Sequence, residues 1–262
     1  MKLRNLCIAV VLAFLLAVPL CGAQEITVAA AADLQFAFQD VAARFQKDTG
    51  KNVKLIFGSS GNFFTQIQNG APFDVFFSAD IDYPKQLEAA GLTEPGTLYP
   101  YATGKIVLWV RNESKLDLGH GLGVLLDPTI RKIALANPEH APYGRAAVAA
   151  MKRDNVYDKI SGKVVLGENV SQAASFVVAG SADIGIVPVS LALAPAMKQK
   201  GRYKEISADE YPPLDQAAVI LKSSQQKEIA RQFIDFLKTP PILELLRSYG
   251  FSVPRGSAVV RQ

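Results

Sequence analysis

The sequence predicts an α/β fold organised as two lobes, and two observations lead to this prediction. Short runs of β-branched or aromatic residues alternate with segments whose apolar residues recur at helical spacing, which is typical of sheets covered by helices. The chain has 262 residues, of which 49% are hydrophobic, so it can bury one large core or two modest ones. We therefore expect a mixed sheet flanked by helices in each lobe.

The amino terminus has the pattern of a secretory signal peptide. Two basic residues precede an apolar run over residues 6–20, and a cleavage site of small residues follows at Cys21-Gly22-Ala23. The sequence therefore predicts a signal peptide over residues 1–23 and a protein exported to the periplasm. Lipoprotein anchoring at Cys21 is the less favoured alternative, because Leu20 is bulkier than the residue that lipoprotein processing usually accepts.

Charge and cysteine content narrow the classes of function. Cys7 and Cys21 leave with the predicted signal peptide, so a buried core alone must stabilise the mature chain. The formal charge of +4 falls to +2 without the two basic residues of the leader. We predict no nucleic-acid binding, because that function requires a concentrated basic face. One basic cluster exists, and we interpret it as a solvated helix end and turn: Lys198, Lys200, Arg202 and Lys204.

Individual elements follow from local patterns. Apolar residues recur at helical spacing from Leu34 to Phe45, and Gly50 is well placed to end that helix. Asp33 stands directly before this helix and is its natural N-cap. Eight segments have the composition of strands: 26–30, 53–57, 75–78, 106–110, 133–136, 164–166, 184–187 and 217–221.

Two apolar segments, 105–110 and 216–221, bracket the middle of the chain. We interpret them as strands at which the chain crosses between the lobes, once in each direction. Lobe 1 then combines residues 24–105 with residues 216–262, and lobe 2 comprises residues 106–215. Two helical patterns near the carboxyl terminus are expected to pack against lobe 1.

Four strand-to-helix junctions have the composition of an anion site. In open α/β sheets, ligands lie beyond the carboxyl ends of strands, where helices begin. Helix starts carry unpaired N–H groups and a partial positive charge, so they bind anions without a cationic side chain. Each junction alone is an ordinary helix cap, and only the combination of two in each lobe predicts a cleft receptor. The junctions are AAADL at 30–34, GSSGN at 58–62, APYG at 141–144 and ENVS at 168–171.

Five longer phrases carry a family resemblance: ITVAAAADL at 26–34, FGSSGNFFTQIQNGAPFDVFFSAD at 57–80, YATGKIVLWV at 101–110, IALANPEHAPYG at 133–144 and SADIGIV at 181–187. They resemble the periplasmic molybdate-binding proteins of ATP-driven importers over essentially the whole mature chain. The resemblance implies a type II periplasmic binding-protein fold with the ligand in the interlobe cleft. It implies a receptor that captures molybdate or tungstate and delivers it to an inner-membrane ABC permease. We expect a monomer without a cofactor.

In this family, main-chain N–H groups and a few neutral side chains hold the oxyanion. Matched position by position, Ser60 falls on a serine that donates both its hydroxyl and its N–H group. Tyr143 and Val170 fall on positions that donate main-chain N–H groups, and Ala32 and Asp33 occupy the first loop. The resemblance therefore implies that these five residues bind the ligand. It implies neither a catalytic residue nor a site for a metal cation.

Two positions depart from the family pattern. Some members supply a tyrosine hydroxyl where this chain has Pro188, so that donor is lost. Asp33 stands where relatives have serine, threonine or asparagine, and it puts a carboxylate beside the site. As an N-cap it would turn its charge toward its own helix. Facing the ligand, it would repel a bare dianion but accept a proton from a protonated one.

Other functions stay open as alternatives. The same fold can serve sulfate, phosphate or chromate, because cavity size and hydrogen-bond number decide the ligand. The sequence does not rank molybdate against tungstate, which are nearly the same size. An oxyanion-ester hydrolase is less favoured, since no base is evidently partnered with a third group, and we interpret His140 as a structural residue. Neither His120 nor His140 has neighbours at metal-ligand spacing.

Overall fold

Two five-stranded sheets organise the chain in a computed structural model that describes residues 24–253. The predicted signal peptide, residues 1–23, lies outside the described residues. The first sheet has the order β2-β1-β3-β10-β4, and the second has the order β7-β6-β8-β5-β9. The strands are β1 (Glu25–Ala31), β2 (Asn52–Gly58), β3 (Val75–Ser78), β4 (Tyr99–Gly104), β5 (Ile106–Arg111), β6 (Ile133–Ala136), β7 (Val164–Gly167), β8 (Ile184–Pro188), β9 (Gly201–Glu205) and β10 (Leu214–Ile220).

Helices flank both sheets, which confirms the predicted α/β class with a mixed sheet in each half. Within residues 24–253, no helix is both long and apolar enough to cross a membrane. The α-helices are α1 (Gln35–Thr49), α2 (Ser60–Gln68), α3 (Asp82–Ala89), α4 (Pro142–Arg153), α5 (Tyr157–Ile160), α6 (Val170–Val178), α7 (Val189–Leu193), α8 (Pro195–Lys198), α9 (Lys227–Leu237) and α10 (Pro240–Ser248). Three 3-10 helices span Ala32–Leu34, Leu118–Leu126 and Ser161–Lys163.

The first sheet and the helices packed on it, called the first lobe below, share a core of aromatic rings. Phe38 of α1 meets Phe77 of β3 with 4.8 Å between ring centroids, and Phe45 of α1 meets Phe233 of α9 at 5.2 Å. Edge-to-face pairs of this kind contribute about 0.5–1.5 kcal/mol each beyond their buried area. The carboxyl-terminal helix α9 thus packs on the first sheet, as predicted. Gly50 ends α1 with φ of 72°, which confirms its predicted role.

All eight predicted strands are present, and the structure adds β4 and β9. Strand β4 contains Pro100 and Gly104, two residue types that are uncommon inside strands, so its sequence lacks a strand signal. Strand β9 contains Arg202 and Lys204, which the sequence analysis assigned to a helix end and turn. That assignment is wrong for these two residues, because they pair with β5 at the edge of the second sheet. Edge strands tolerate charged side chains that reach solvent.

The two apolar segments form internal strands of different sheets, and each lies beside a passage of the chain between the sheets. Strand β5 lies between β8 and β9 in the second sheet, and β10 lies between β3 and β4 in the first. Both are internal strands, and burial on both faces explains their continuous apolar runs. The chain passes between the sheets at Lys105, which joins β4 to β5, and again in residues 206–213.

Strand register brings helix starts together in pairs. Ala31 pairs with Gly58 at the ends of β1 and β2, so the 3-10 helix Ala32–Leu34 begins beside α2. Ala136 pairs with Gly167 at the ends of β6 and β7, which places the start of α4 near that of α6. Both strand pairs are parallel, and parallel pairing aligns the carboxyl ends of strands at one edge of a sheet. Each sheet therefore presents two helix starts from one edge.

Candidate functional site

A small cavity lies where the four predicted junctions meet. The centre of a water molecule can move through about 10 Å³ of it. That is about the space that one water molecule needs, so the cavity excludes drug-sized ligands, whose pockets occupy about 300–1,000 Å³. Both lobes line it, and the lining includes all five predicted site residues. The lining residues are Ala31, Ala32, Asp33, Gly58, Ser59, Ser60, Ala79, Ala141, Pro142, Tyr143, Asn169 and Val170.

The first lobe presents two helix starts to the cavity. Ala32 and Asp33 open the 3-10 helix, and Ser60 opens α2. The first N–H groups of a helix have no acceptor within the helix, so these groups are available to an anion. Ser60 Oγ accepts a hydrogen bond from the Ala79 N–H group at 2.9 Å. Its O–H group has no acceptor in residues 24–253, which leaves it free to donate into the cavity.

The second lobe, which is built on the second sheet, presents two more helix starts to the cavity. Helix α4 begins at Pro142, which has no N–H group, so Tyr143 supplies the first free donor, as predicted from the sequence. At the start of α6, the side chain of Asn169 accepts hydrogen bonds from the N–H groups of Ser171 and Gln172. The cap thus occupies those two donors and leaves the Val170 N–H group for another acceptor.

Hydrogen bonds join the two lobes around the cavity. The Gly61 N–H group donates to the His140 carbonyl at 2.9 Å, and Ser171 Oγ donates to Gln35 Oε1 at 2.6 Å. Farther out, Arg145 Nη2 of α4 lies 2.5 Å from Asp80 Oδ2 of the first lobe. The cleft is therefore closed in this structure, and small side chains at its rim make that approach possible. At Gly61, a Cβ atom would lie 2.7 Å from the His140 carbonyl oxygen.

Asp33 is part of a buried network and not a helix cap, so the N-cap prediction is wrong. Its Oδ2 atom accepts hydrogen bonds from Tyr143 Oη at 2.9 Å and from Gln216 Nε2 at 2.8 Å. Tyr101 Oη in turn donates to Gln216 Oε1 at 2.7 Å. The carboxylate makes no cap hydrogen bond to the 3-10 helix or to α1. The carboxylate accepts hydrogen bonds from Tyr143 of the second lobe and Gln216 of β10, and not from the first N–H groups of its own helix.

Burial sets the electrostatics of this network. It raises the pKa of Asp33 from its ordinary 3.8 to about 6, and the hydrogen bonds from Gln216 and Tyr143, with the nearby main-chain N–H group of Asp33 itself, oppose the rise. Burial, reinforced by the Asp33 carboxylate, holds the pKa values of Tyr143 and Tyr101 well above 10. Both phenols therefore stay protonated at neutral pH and act as donors to their partners.

The remaining lining is neutral, and its donors are N–H and O–H groups. Among residues 24–253, no lysine or arginine lines the cavity. Within the described part of the chain, no three His, Cys, Asp or Glu side chains cluster as a cation site. Pro188, where some relatives place a tyrosine, ends β8 and is not among the lining residues. Such a cavity can hold a small oxyanion by directed hydrogen bonds and helix-start dipoles without an opposing charge.

His140 ties the rim of the cleft together. Its Nδ1 atom lies 2.9 Å from Ser59 Oγ, which fits the predicted hydrogen-bonding role. Its Nε2 atom lies 3.7 Å from Glu168 Oε2, too far for a hydrogen bond. The sequence analysis missed this alignment because the three residues come from three separate segments. Ser59, His140 and Glu168 follow the order of a nucleophile, a base and an acid, but Glu168 makes no hydrogen bond that would hold His140 as a base.

The fold and the cavity agree with those of known binding proteins. Residues 26–252 match a family model described as bacterial extracellular solute-binding protein. The chain belongs to this family. Extracellular solute-binding proteins of this kind are defined by binding and not by a catalysed reaction. The match spans both lobes and all four helix starts that line the cavity.

Several relatives within the extracellular solute-binding proteins carry more specific names. The molybdate-binding protein ModA of Rhodobacter capsulatus is 38% identical over 230 residues, which cover 88% of this chain and 89% of that protein. ModA of Azotobacter vinelandii is 37% identical over 235 residues, covering 89% and 92%. These matches confirm the resemblance carried by the five sequence phrases.

Solved structures confirm the two-lobed binding-protein fold. The periplasmic molybdate-binding protein of Azotobacter vinelandii matches with a TM-score of 0.83 and 35% identity, covering 88% of this chain and all of that one. The sulfate-binding protein SubI of Mycobacterium tuberculosis matches with a TM-score of 0.72 and 17% identity, covering 87% and 86%. At that identity, SubI shares only the fold.

Three polar residues of the site escaped the sequence analysis: Tyr101, Ser190 and Gln216. Ser190 Oγ donates to the Asp33 carbonyl at 2.7 Å, so it steadies the turn from the second lobe. Gln216 did carry a signal, since it is a polar residue within an otherwise apolar internal strand and is 0% exposed. Buried polar side chains of that kind are almost always hydrogen-bonded, and the partners then identify a network.

Proposed function

We propose that this chain is an extracytoplasmic receptor that binds molybdate or tungstate between its lobes. The observation that carries the proposal is the cavity itself, which is small and lined, among residues 24–253, by helix starts of both lobes without a cationic side chain. Neutral donors at helix starts suit a small divalent oxyanion. The relatives named as molybdate-binding proteins support this choice of anion.

In this proposal five residues bind the anion. Ser60 donates from both its hydroxyl and its main-chain N–H group. Ala32, Asp33, Tyr143 and Val170 donate main-chain N–H groups. The free Ser60 O–H group and the Asn169 cap, which spares the Val170 donor, support these assignments. Donors from both lobes would make binding and closure one event, because an anion in the cavity is held only when the lobes meet.

The two lobes in this proposal comprise residues 24–105 with 216–262, and residues 106–215. They close by a hinge at the two passages between the sheets. Closure changes the outer surface, which lets an inner-membrane ABC permease distinguish a loaded receptor from an empty one. The basic, apolar and small-residue pattern of residues 1–23 supports export to the periplasm, with removal of the leader favoured over an anchor at Cys21.

Titration calorimetry against a panel of oxyanions tests the proposal. We expect molybdate and tungstate to bind, and sulfate, phosphate and chromate to bind at least tenfold more weakly. A preference for sulfate or phosphate would assign the same site to another tetrahedral oxyanion. Incubation with phosphate and sulfate esters tests the hydrolase alternative. In that alternative Ser59 would be the nucleophile, because its Oγ contacts His140 Nδ1. Turnover that Ser59→Ala abolishes would contradict a purely binding role.

A further inference from the structure

Asp33 has a buried carboxylate oxygen without a hydrogen-bond partner in the described part of the chain. Its Oδ2 atom accepts from Tyr143 and Gln216, whereas Oδ1 is buried and accepts nothing. The residue is 1% exposed and lines the cavity. Buried polar atoms in folded proteins are nearly always hydrogen-bonded. We therefore expect Oδ1 to find its partner when the cavity is filled.

An oxyanion in the cavity makes the state of Oδ1 critical. An ionised Oδ1 beside an anion oxygen would bring two acceptors and two negative charges together in a site with little water, which is repulsive. One proton between the two oxygens removes the repulsion, because one oxygen then donates and the other accepts. Tyr143 and Gln216 do not provide this proton, since their donors are directed at Oδ2.

We propose that Asp33 is protonated at Oδ1 in the loaded receptor and donates this hydrogen bond to the bound oxyanion. The inference rests on the proposed function, because the anion supplies the acceptor. The proton is taken from solvent, and no bond within the anion changes. A divalent oxyanion therefore binds together with one proton. Asp33 becomes a specificity-determining residue that adds a donor to the N–H and O–H groups of the site.

The surroundings of Asp33 leave this carboxyl group to titrate by itself. The facing titratable groups are Tyr143 and Tyr101, whose pKa values lie well above 10. Helices α6 and α7, which pack against the 3-10 helix, carry no titratable side chain. His140 contacts Ser59 rather than Asp33. The titratable side chains of the neighbouring β2 and α1 are exposed: Lys54, Asp40, Arg44, Lys47 and Asp48.

The bound proton makes affinity depend on pH. Burial raises the pKa of Asp33 to about 6 in the closed, empty protein. At about pH 8, about one closed molecule in a hundred then carries the proton, and opening exposes the carboxylate and lowers that fraction, so the apparent affinity is at least about 100-fold below its limit at low pH. We expect the association constant for molybdate to fall about tenfold for each pH unit above about 6 and to level off below that value.

Calorimetry with sodium molybdate in two buffers of different ionisation enthalpy counts the protons taken up. For the wild-type protein at about pH 8, we expect close to one proton per molybdate, and less at about pH 5.5, where Asp33 already holds it. Molybdate binding without proton uptake and with a flat pH profile would overturn this inference and leave the proposed function standing. No molybdate binding at any pH would overturn the proposed function and this inference with it.

Two variants assign the proton to its residue. In Asp33→Asn the amide offers an N–H donor at every pH, so proton uptake and the pH slope should disappear and affinity at about pH 8 should rise up to about 100-fold. Asp48→Asn, which changes an exposed acid near the end of α1, should keep both properties of the wild type. Uptake that persists in folded Asp33→Asn would overturn the assignment. The wild-type proton count decides the matter if the variant does not fold.

Discussion

The Ser60→Ala substitution separates two roles that one hydroxyl group performs. Ser60 Oγ accepts from the Ala79 N–H group at 2.9 Å, and its O–H group is free to donate to the anion. Ser60 and Ala79 are 0% and 1% exposed, so water cannot readily replace either interaction. Alanine removes the acceptor of the first bond and the donor of the second. It leaves the main-chain N–H group of residue 60 in place.

The two losses have separate magnitudes. A hydrogen bond to a charged ligand is worth about 1.5–3 kcal/mol, which corresponds to about 10- to 150-fold in affinity for molybdate. A buried N–H group left unsatisfied costs about 1–3 kcal/mol in the free energy of unfolding. For a chain of this size, each kcal/mol lowers the melting temperature by about 2–4 °C. The variant should therefore be both weaker in binding and less stable when empty.

Calorimetric titration with molybdate measures the first loss, and urea unfolding without ligand measures the second. Ser224→Ala is a matched control, because Ser224 is also buried and its Oγ donates to Asp74 Oδ1 at 2.6 Å, among residues that do not line the cavity. It should lose stability and keep its affinity. Wild-type affinity in Ser60→Ala, with or without a loss of stability, would refute the assigned donor.

Ligand, pH and closure each provide a further test. Molybdate at a hundred times its dissociation constant should add about 2.7 kcal/mol and raise the melting temperature by several degrees, and a rise with sulfate alone would contradict the choice of anion. As pH rises from about 4 to about 6, the unfolded chain ionises at position 33 before the folded protein does, because burial raises the folded-state pKa of Asp33 to about 6. Urea unfolding of the empty protein should therefore show about 2 kcal/mol lost over that range, and a parallel profile for Asp33→Asn would be the contrary result. In Gly104→Ala the new Cβ would lie 2.0 Å from Tyr143 Oη, so the lobes should fail to close and affinity should fall at least tenfold. Small-angle scattering with and without molybdate measures the closure. If Gly104→Ala becomes as compact with molybdate as the wild-type protein does, the contact between the new Cβ and Tyr143 relaxes and the prediction is wrong.

The strands were predictable where burial imposes a simple pattern. Strand β3 was predicted with the correct bounds, since all four of its residues are buried and apolar or small. Strand β4 was missed because Pro100 and Gly104 are uncommon inside strands. Both residues are tolerated there because β4 lies at the edge of the sheet, beside β10. The apolar run of β5 was identified as a strand, but its partners were not. An apolar run shows that a strand is internal and does not show which strands flank it.

The candidate site was predictable to the extent that it consists of helix starts. Proline before Tyr143 and asparagine before Val170 are local signals, and both proved to be helix starts in the structure. Asp33 shows where such signals end. An aspartate directly before a helical pattern predicts a cap, and the same side chain instead turns into a network whose other members are distant in the chain.

The sequence by itself determined the class of this protein: its alternating elements and its donors at helix starts follow from residue types and short spacings. The tertiary structure decided which of those residues meet. Tyr143 is 110 residues from Asp33 and Gln216 is 183 residues away, and the pairing of strands in the first sheet brings Gln216, and the meeting of the lobes brings Tyr143, to one carboxylate oxygen. The other oxygen is buried and has no hydrogen-bond partner within residues 24–253. Local sequence cannot specify that arrangement, because burial and hydrogen-bond partners are properties of the folded whole.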